Sequence, residues 1–154
     1  MQVVNKVEEY KELVIDKEFL RLLLIEDIED SSSSVSHDYF YTENLKAQIS
    51  KKEEELKLEY KIWLSDRKKE LDRKLYPNEM AKEDGVIAKY RNEYLQFNKK
   101  LIDLAYQKNL LQGISRAVEM KSNIIISLLN SKKNKKEQEE TIEKWNTKVE
   151  KTKI

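Results

Sequence analysis

The side chains best suited to contacting another molecule are five cations that lie just before the single proline, Pro77. They are Arg67, Lys68, Lys69, Arg73 and Lys74, and the aromatic Tyr76 follows them. Cations at this spacing fall on adjoining helix faces, which predicts a patch that contacts nucleic-acid phosphates, with Tyr76 as a platform on which a base could stack. The same cations would also stabilise the negative end of a helix dipole, by about 0.3–1 kcal/mol each. Both explanations stay open.

A second basic cluster follows the last long apolar stretch of the sequence. Its members are Lys132, Lys133, Lys135 and Lys136. This cluster predicts either a second phosphate-contacting patch or a solvated hinge, and its spacing alone does not favour one over the other.

Residues that could catalyse a reaction or hold a metal are scarce. There is no cysteine, and the only histidine, His37, lies beside a run of four serines and is expected to be a solvated loop residue. Acidic runs such as Glu53-Glu54-Glu55 fan around a helix axis and are expected to be solvated surface. No glycine-rich phosphate-binding motif is present. We therefore expect neither an enzyme nor a bound metal or cofactor.

The elements that position these side chains follow from composition. Two glycines and one proline in 154 residues are too few for the turns of a sandwich, a barrel or a Rossmann fold. Charged residues make up 38% of the chain, compared with about 25% in an ordinary domain. This composition predicts an all-α fold of long, solvated helices with a thin core, completed by helices of other copies in an oligomer.

Nothing in the sequence predicts a membrane protein. The longest apolar runs are far shorter than the roughly 20 residues that span a bilayer. Acidic residues lie near the N-terminus, where a signal peptide would be basic and then apolar. We expect a cytoplasmic protein without membrane association.

Breaks in the apolar pattern divide the chain into four segments. Residues 1–30 form an N-terminal helical segment, and 31–41 a serine-rich linker. Residues 42–131 form a helical hairpin, and 132–154 a basic hinge with a short C-terminal helix. Inside the hairpin, a helix over 43–75 with Thr42 as its N-cap runs antiparallel to a helix over 92–130. A short helix at Pro77 makes the corner between them.

Apolar residues of the second long helix recur at spacings of three, four and seven, which is typical of a coiled-coil seam. They are Phe97, Leu101, Leu104, Leu111, Val118 and Ile125. Trp63 of the first helix falls on the facing stripe. Gly113 inside the second helix suggests a close approach between helices. Ile142, Trp145 and Val149 form a weak stripe, which we expect to dock the C-terminal helix on another subunit.

Several short motifs between residues 39 and 130 resemble the UvsY family of phage recombination mediators. They are Tyr60-Lys61-x-Trp63-Leu64, Leu71-x-Arg73-Lys74-Leu75, Pro77-Asn78-Glu79, Asn92-Glu93-Tyr94, Leu101-Ile102-x-x-Ala105-Tyr106, Leu110-Leu111-x-Gly113, Ala117-Val118 and Lys121. Asn78 stands where the family usually has threonine. The serine run and the tail after residue 131 depart from the family pattern.

The resemblance implies a small helical protein that forms a ring-like oligomer, heptameric in the best-known member. Such a protein binds single-stranded DNA in the phage-infected cell. It loads the phage recombinase onto strands covered by single-strand binding protein, without catalysis. The matched motif makes Arg73 and Lys74 the DNA contacts, and proximity adds Arg67, Lys68 and Lys69.

A different class of protein also fits the helical pattern. The heptad-like seam and thin core are typical of a phage scaffold, a tail chaperone or a coiled-coil adaptor, none of which needs to bind DNA. This structural or assembly function is the alternative hypothesis.

Overall fold

The computed structural model describes residues 17–131 and 134–154. In these ranges the chain forms a 3-10 helix, Lys17–Leu23, followed by four α-helices and no strand. The α-helices are α1 Ile28–Lys69, α2 Glu79–Lys89, α3 Arg91–Asn130 and α4 Lys135–Glu150. The all-α prediction is confirmed. The predictions made for residues 1–16 and for Lys132 and Lys133 lie outside the described residues.

The predicted serine-rich linker over 31–41 is wrong, because those residues belong to α1. The helix begins after Asp27, whose carboxylate accepts a hydrogen bond from the Asp30 amide at 3.0 Å. The Ser33 hydroxyl donates to the carbonyl of Asp30 at 2.8 Å, so this serine finds its partner inside the helix. Val35 is buried, and its packing extends the seam through the serine run.

Thr42 is therefore not an N-cap. Its side chain is fully buried in the middle of α1, and its hydroxyl donates to the carbonyl of Asp38 at 2.8 Å. A threonine can complete its hydrogen bonding in this way within a helix, so it need not mark a helix start.

The core is a seam between α1 and α3. Contacts along the seam pair Lys46 with Gln112, Glu53 with Lys108 and Trp63 with Glu93, which is the order expected of antiparallel helices. Buried residues recur every seven positions on both sides. They are Val35, Thr42, Ile49, Leu56 and Trp63 in α1, and Phe97, Leu104, Leu111, Val118 and Ile125 in α3. The predicted periodicity of the second long helix is confirmed for these five residues of α3.

A buried carboxylate within the seam makes stability depend on acid pH. The Glu53 carboxylate accepts hydrogen bonds from Lys108 at 2.7 Å and from Lys57 at 2.8 Å. Lys108 first, and then Lys57, hold the pKa of Glu53 below its ordinary value. A lowered folded-state pKa stabilises the fold fully above the unfolded-state pKa of about 4.3, and this stabilisation disappears as the pH falls through the folded value. We expect Glu53→Gln to flatten the acid limb of the curve of unfolding free energy against pH.

Denaturant titrations between pH 2 and 7 would measure this dependence. Glu54→Gln, at the exposed neighbouring position, is the matched control. If the unfolding free energy of Glu53→Gln falls as steeply with decreasing pH as that of the natural chain, the prediction is contradicted.

The corner begins earlier than predicted, because α1 ends at Lys69 and not near Leu75. Asp72 explains the difference. Its carboxylate accepts from the Lys74 amide at 2.9 Å, and its carbonyl accepts from the amides of Leu75 and Tyr76 at 3.2 and 3.0 Å. These local turn bonds replace helical ones. Arg73 and Lys74 consequently lie on a turn, where the helix-dipole explanation does not apply to them.

The remainder of the corner is close to the prediction. Asn78, one residue after Pro77, is the N-cap of α2 and accepts from the Ala81 amide at 2.8 Å. Gly85 lies within α2, and α3 covers Arg91–Asn130, within one residue of the predicted range.

The C-terminal helix α4 docks on the N-terminal segment of the same chain, and no second subunit is needed to cover its apolar residues. The Trp145 indole N–H donates to the carbonyl of Leu23 at 2.6 Å. The Asn146 amide bonds both the N–H and the C=O of Ile25, each at 2.8 Å. From α3, the buried Lys121 ammonium donates to the carbonyl of Leu22 at 2.8 Å. These contacts form a clamp, defined here as Leu22–Ile25 held by Lys121, Trp145 and Asn146.

Removing the amide from the clamp should destabilise the protein. Asn146→Leu keeps the side-chain size but leaves both backbone groups of the buried Ile25 without their partners. We expect a loss of about 1–3 kcal/mol for each group left buried and unpaired. Thermal denaturation followed by circular dichroism would measure the effect. Asn123→Leu, at an exposed position of α3, is the control, and equal melting temperatures for the two variants would contradict the prediction.

Candidate nucleic-acid interface

Arg67 is tied into the corner. Its guanidinium donates to the Glu70 carboxylate at 2.8 Å and lies 4.7 Å from the centre of the Tyr90 ring. The Tyr90 hydroxyl donates to the second Glu70 oxygen at 2.6 Å. The Tyr90 hydrogen bond, together with Arg67, holds the pKa of Glu70 below its ordinary value. This arrangement joins the end of α1 to the start of α3.

Lys68 has a similar structural contact. Its ammonium lies 3.3 Å from a Glu79 carboxylate oxygen, which links the last turn of α1 to the first turn of α2. Lys82 contacts the other oxygen at 3.2 Å, and Lys82 first, then Lys68, lower the pKa of Glu79. Arg67 and Lys68 therefore have acidic partners within the fold.

Lys69, Arg73 and Lys74 face solvent. The Lys69 side chain is 76% exposed, and its ammonium lies 3.8 Å from Asp66 one turn earlier, a contact of little energetic value at this exposure. Arg73 and Lys74 are exposed, and neither forms an ion pair with the residues that the structure describes. We call these three residues the corner patch.

Tyr76, two residues after Lys74 in sequence, is half-buried. A Cβ atom added to Gly85 would lie 2.5 Å from Cε1 of the Tyr76 ring, so the ring packs closely on the backbone of α2. A base could reach this ring only from its solvent side. The exposed side chains of Leu75 and Met80 lie nearby in sequence.

The close approach expected at Gly113 is instead found at Gly85, since nothing lies within 4 Å of a Cβ atom added to Gly113. Neither glycine has a positive φ angle. Alanine is favoured over glycine in a helix by about 1 kcal/mol. We expect Gly113→Ala to gain most of that stability, whereas Gly85→Ala must push the Tyr76 ring outwards.

Denaturant unfolding of the two variants in dilute solution provides a matched comparison. We expect Gly85→Ala to be about 1 kcal/mol less stable than Gly113→Ala, because the ring loses its packing. Equal stabilities would show that the Tyr76 contact contributes nothing.

The two described members of the second basic cluster, Lys135 and Lys136, are distant from the corner patch. Lys135 and Lys136 are exposed in the first turn of α4, which follows the far end of α3. The 40 residues of α3 correspond to roughly 60 Å of helix. Cations at a helix N-terminus oppose the helix dipole, so the dipole does not explain them. Among the described residues, Lys135 and Lys136 therefore do not share a surface with the corner patch.

Two residues that shape the corner, Glu70 and Tyr90, were not predicted from the sequence. Glu70 was detectable as a carboxylate three positions after Arg67. Tyr90 had no such signal, because it lies at the joint between α2 and α3, outside both periodic stripes. Trp63, which was predicted to pack in the seam, does so, and its indole N–H also donates to Glu93 at 2.7 Å.

Two further properties concern the described part of the chain. Among the described residues, no cluster of three or more His, Cys, Asp or Glu side chains is placed to hold a metal ion. In the same part of the chain, no helix combines the length and the apolar character needed to cross a membrane.

No protein-family model matches this sequence, and comparisons with curated proteins and with solved structures found no similar protein.

Proposed function

We propose that this protein binds single-stranded DNA through the corner patch and acts as a recombination mediator. The observation that carries the proposal is that some basic residues of the corner have acidic partners and others do not. Arg67 and Lys68 pair with acidic groups that hold the corner, whereas Arg73 and Lys74 are exposed and unpaired among the described residues. Cations held on a fixed turn, without an internal partner, are suited to phosphate contacts.

The chemistry of the patch favours single strands over duplex DNA. The patch consists of the last residue of α1 and the turn that follows it, so it offers neither a continuous helix face nor a strand pair that would enter a groove. Tyr76 follows Lys74 by two residues and is half-buried, and bases of an unpaired strand can stack on the accessible side of an aromatic ring. Duplex DNA keeps its bases stacked on one another and could use only the cations.

Three cations per chain predict weak and salt-dependent binding. For single strands each phosphate contact contributes about −0.7 to the slope of log K against log salt concentration, so three contacts give roughly −2. Affinity should then fall by roughly 15-fold between 50 and 200 mM salt. Several copies joined in one oligomer would strengthen binding through avidity. The implied partners, a recombinase and a single-strand binding protein, belong to this proposal through the UvsY resemblance.

Fluorescence anisotropy with a labelled 30-nucleotide strand tests the proposal. We expect micromolar binding at 50 mM salt and an affinity roughly 15-fold lower at 200 mM salt. A duplex of the same length should bind more weakly than the single strand. Absence of binding at 50 mM salt, with the protein at about 100 µM, would rule the proposed function out.

The structural or assembly function remains the second candidate, because one observation favours it. Large apolar side chains are exposed on α1 and α3, among them Phe40 at 74% and Ile102 at 69%. Exposed apolar residues of this size are typical of contact surfaces. A purified complex with a virion or tail protein, together with no DNA binding at low salt, would favour this function over the first.

A further inference from the structure

The Glu70 carboxylate lies in a small site built of donors from the end of α1 and from the joint between α2 and α3. Its oxygens accept hydrogen bonds from the Arg67 guanidinium at 2.8 Å and from the Tyr90 hydroxyl at 2.6 Å. The Lys89 ammonium lies 5.5 Å from the centre of the Tyr90 ring and adds to the lowering of the Glu70 pKa by Tyr90 and Arg67. Two cations and a hydroxyl thus act on one anionic group.

A carboxylate is a close chemical substitute for the phosphate group that links two nucleotides. Each carries one negative charge and presents two oxygens that accept hydrogen bonds, and guanidinium groups bind both. Glu93, the other carboxylate that acts on Arg67, accepts a hydrogen bond from the Trp63 indole N–H. The donors that hold Glu70 are therefore of the kind that would hold a phosphate in its place.

Glu70 is held in a way that permits exchange. Its side chain is 45% exposed and that of Arg67 is 33% exposed, and ion pairs at such positions contribute little to stability. Their hydrogen bond uses one guanidinium nitrogen, Nη1, whereas arginine binds carboxylates and phosphates most strongly through two. Glu70 is also the C-cap of α1, so its side chain can turn towards solvent without unfolding the helix.

The site adjoins the corner patch. Lys69 immediately precedes Glu70 in sequence, and Arg73 follows it by three residues, which span at most roughly 11 Å of chain. A strand that contacts the corner patch therefore passes within reach of the Glu70 site.

We propose that Arg67 and Tyr90 form a phosphate-binding site that the free protein fills with its own Glu70 carboxylate, and that a bound single strand displaces Glu70. The inference rests on the proposed function, because the phosphate belongs to the strand that the corner patch binds. Glu70 acts as an internal competitor that limits the affinity for DNA. Arg67 contacts the strand only when Glu70 has left it.

Removing the competitor tests the proposal. Glu70→Gln takes away the negative charge and keeps the side-chain size. At 50 mM salt we expect this variant to bind a labelled 30-nucleotide strand about fivefold more tightly than the natural chain, with a salt slope steeper by about 0.7. Asp84→Asn removes one exposed carboxylate from α2 and is the control for net charge. It should raise the affinity by about twofold at most, because salt screens exposed charges.

A second comparison assigns the gain to Arg67. In an Arg67→Ala background no guanidinium remains to be released, so Glu70→Gln should raise the affinity by no more than Asp84→Asn does in the natural chain. Circular dichroism of each variant before the titration verifies that it is folded. A tie between Arg67 and Glu70 that only supports the fold predicts lower melting temperatures for both single variants and no gain in affinity.

The outcomes separate this inference from the proposed function. If the natural chain binds and Glu70→Gln binds no more tightly than Asp84→Asn, the inference is overturned and the proposed function stands. If the full gain persists in the Arg67→Ala background, Glu70 acts through net charge, and the inference is overturned as well. If neither the natural chain nor Glu70→Gln binds at 50 mM salt, the proposed function and the inference both fall.

Discussion

Replacing both Arg73 and Lys74 by alanine is expected to weaken single-stranded DNA binding by at least tenfold at 50 mM salt. The two cations are exposed on a turn and have no ion-pair partner among the described residues, so their removal should take the proposed phosphate contacts away without disturbing the fold. Each lost phosphate contact should also reduce the salt slope by about 0.7, and the pair by roughly 1.4. Anisotropy titrations at 50, 100 and 200 mM salt would measure both quantities.

The control removes the same charge elsewhere. Lys148→Ala with Lys151→Ala takes two exposed cations from the end of α4 and should leave the affinity within about twofold. If this control weakens binding as much as the corner variant does, binding depends on net charge and not on the corner patch. Lys135→Ala with Lys136→Ala applies the same test to the second basic cluster.

Replacing Trp63 by alanine should produce the largest loss of stability among single substitutions in the seam. The Trp63 ring packs against those of Tyr60, Tyr90 and Phe97, with ring centres 5.8, 6.3 and 5.4 Å away, and its N–H donates to Glu93. Removing a buried Trp side chain costs about 3–5 kcal/mol. At about 2–4 °C per kcal/mol for a domain of this size, the melting temperature should fall by about 6–20 °C.

Two variants separate the contributions to this loss. Trp63→Phe keeps an aromatic ring in the cluster and removes the hydrogen bond to the carboxylate, for which we expect about 1.5–3 kcal/mol. Met80→Ala, at a side chain that is 75% exposed, should change stability by less than about 0.5 kcal/mol. A melting temperature for Trp63→Ala within a few degrees of that of the natural chain would show that the aromatic cluster is not part of the stabilising core.

Much of the hairpin was predictable because its signals are long and periodic. The heptad spacing from Phe97 to Ile125 defined α3 within one residue at its start, and Pro77 located the corner. In both cases the local preference of the sequence agrees with the packing that the seam requires.

The wrong predictions lie where packing or short-range hydrogen bonds override the helix propensity of the sequence. The serine run is helical because Val35 and Thr42 extend the seam and the hydroxyls bond within the helix, and no propensity argument contains those contacts. Asp72 ends α1 early through turn bonds that a helical stripe does not reveal. The exposure of Arg73 and the pairing of Arg67 depend on where that turn places each side chain, so sequence spacing could group the cations but could not separate them.

The clamp also has a kinetic consequence. Asn146 and Ile25 are 121 residues apart in sequence, whereas α1 and α3 are joined by a compact corner. Closing a long loop costs more chain entropy than closing a short one, so the hairpin should form first and the clamp last. Unfolding should follow the reverse order, with the clamp opening first. Amides of α4 should therefore exchange with solvent through local opening at a lower free energy than amides of the seam. The ends of the described chain thus form a separately opening unit, at the opposite end of the hairpin from the surface proposed to hold DNA.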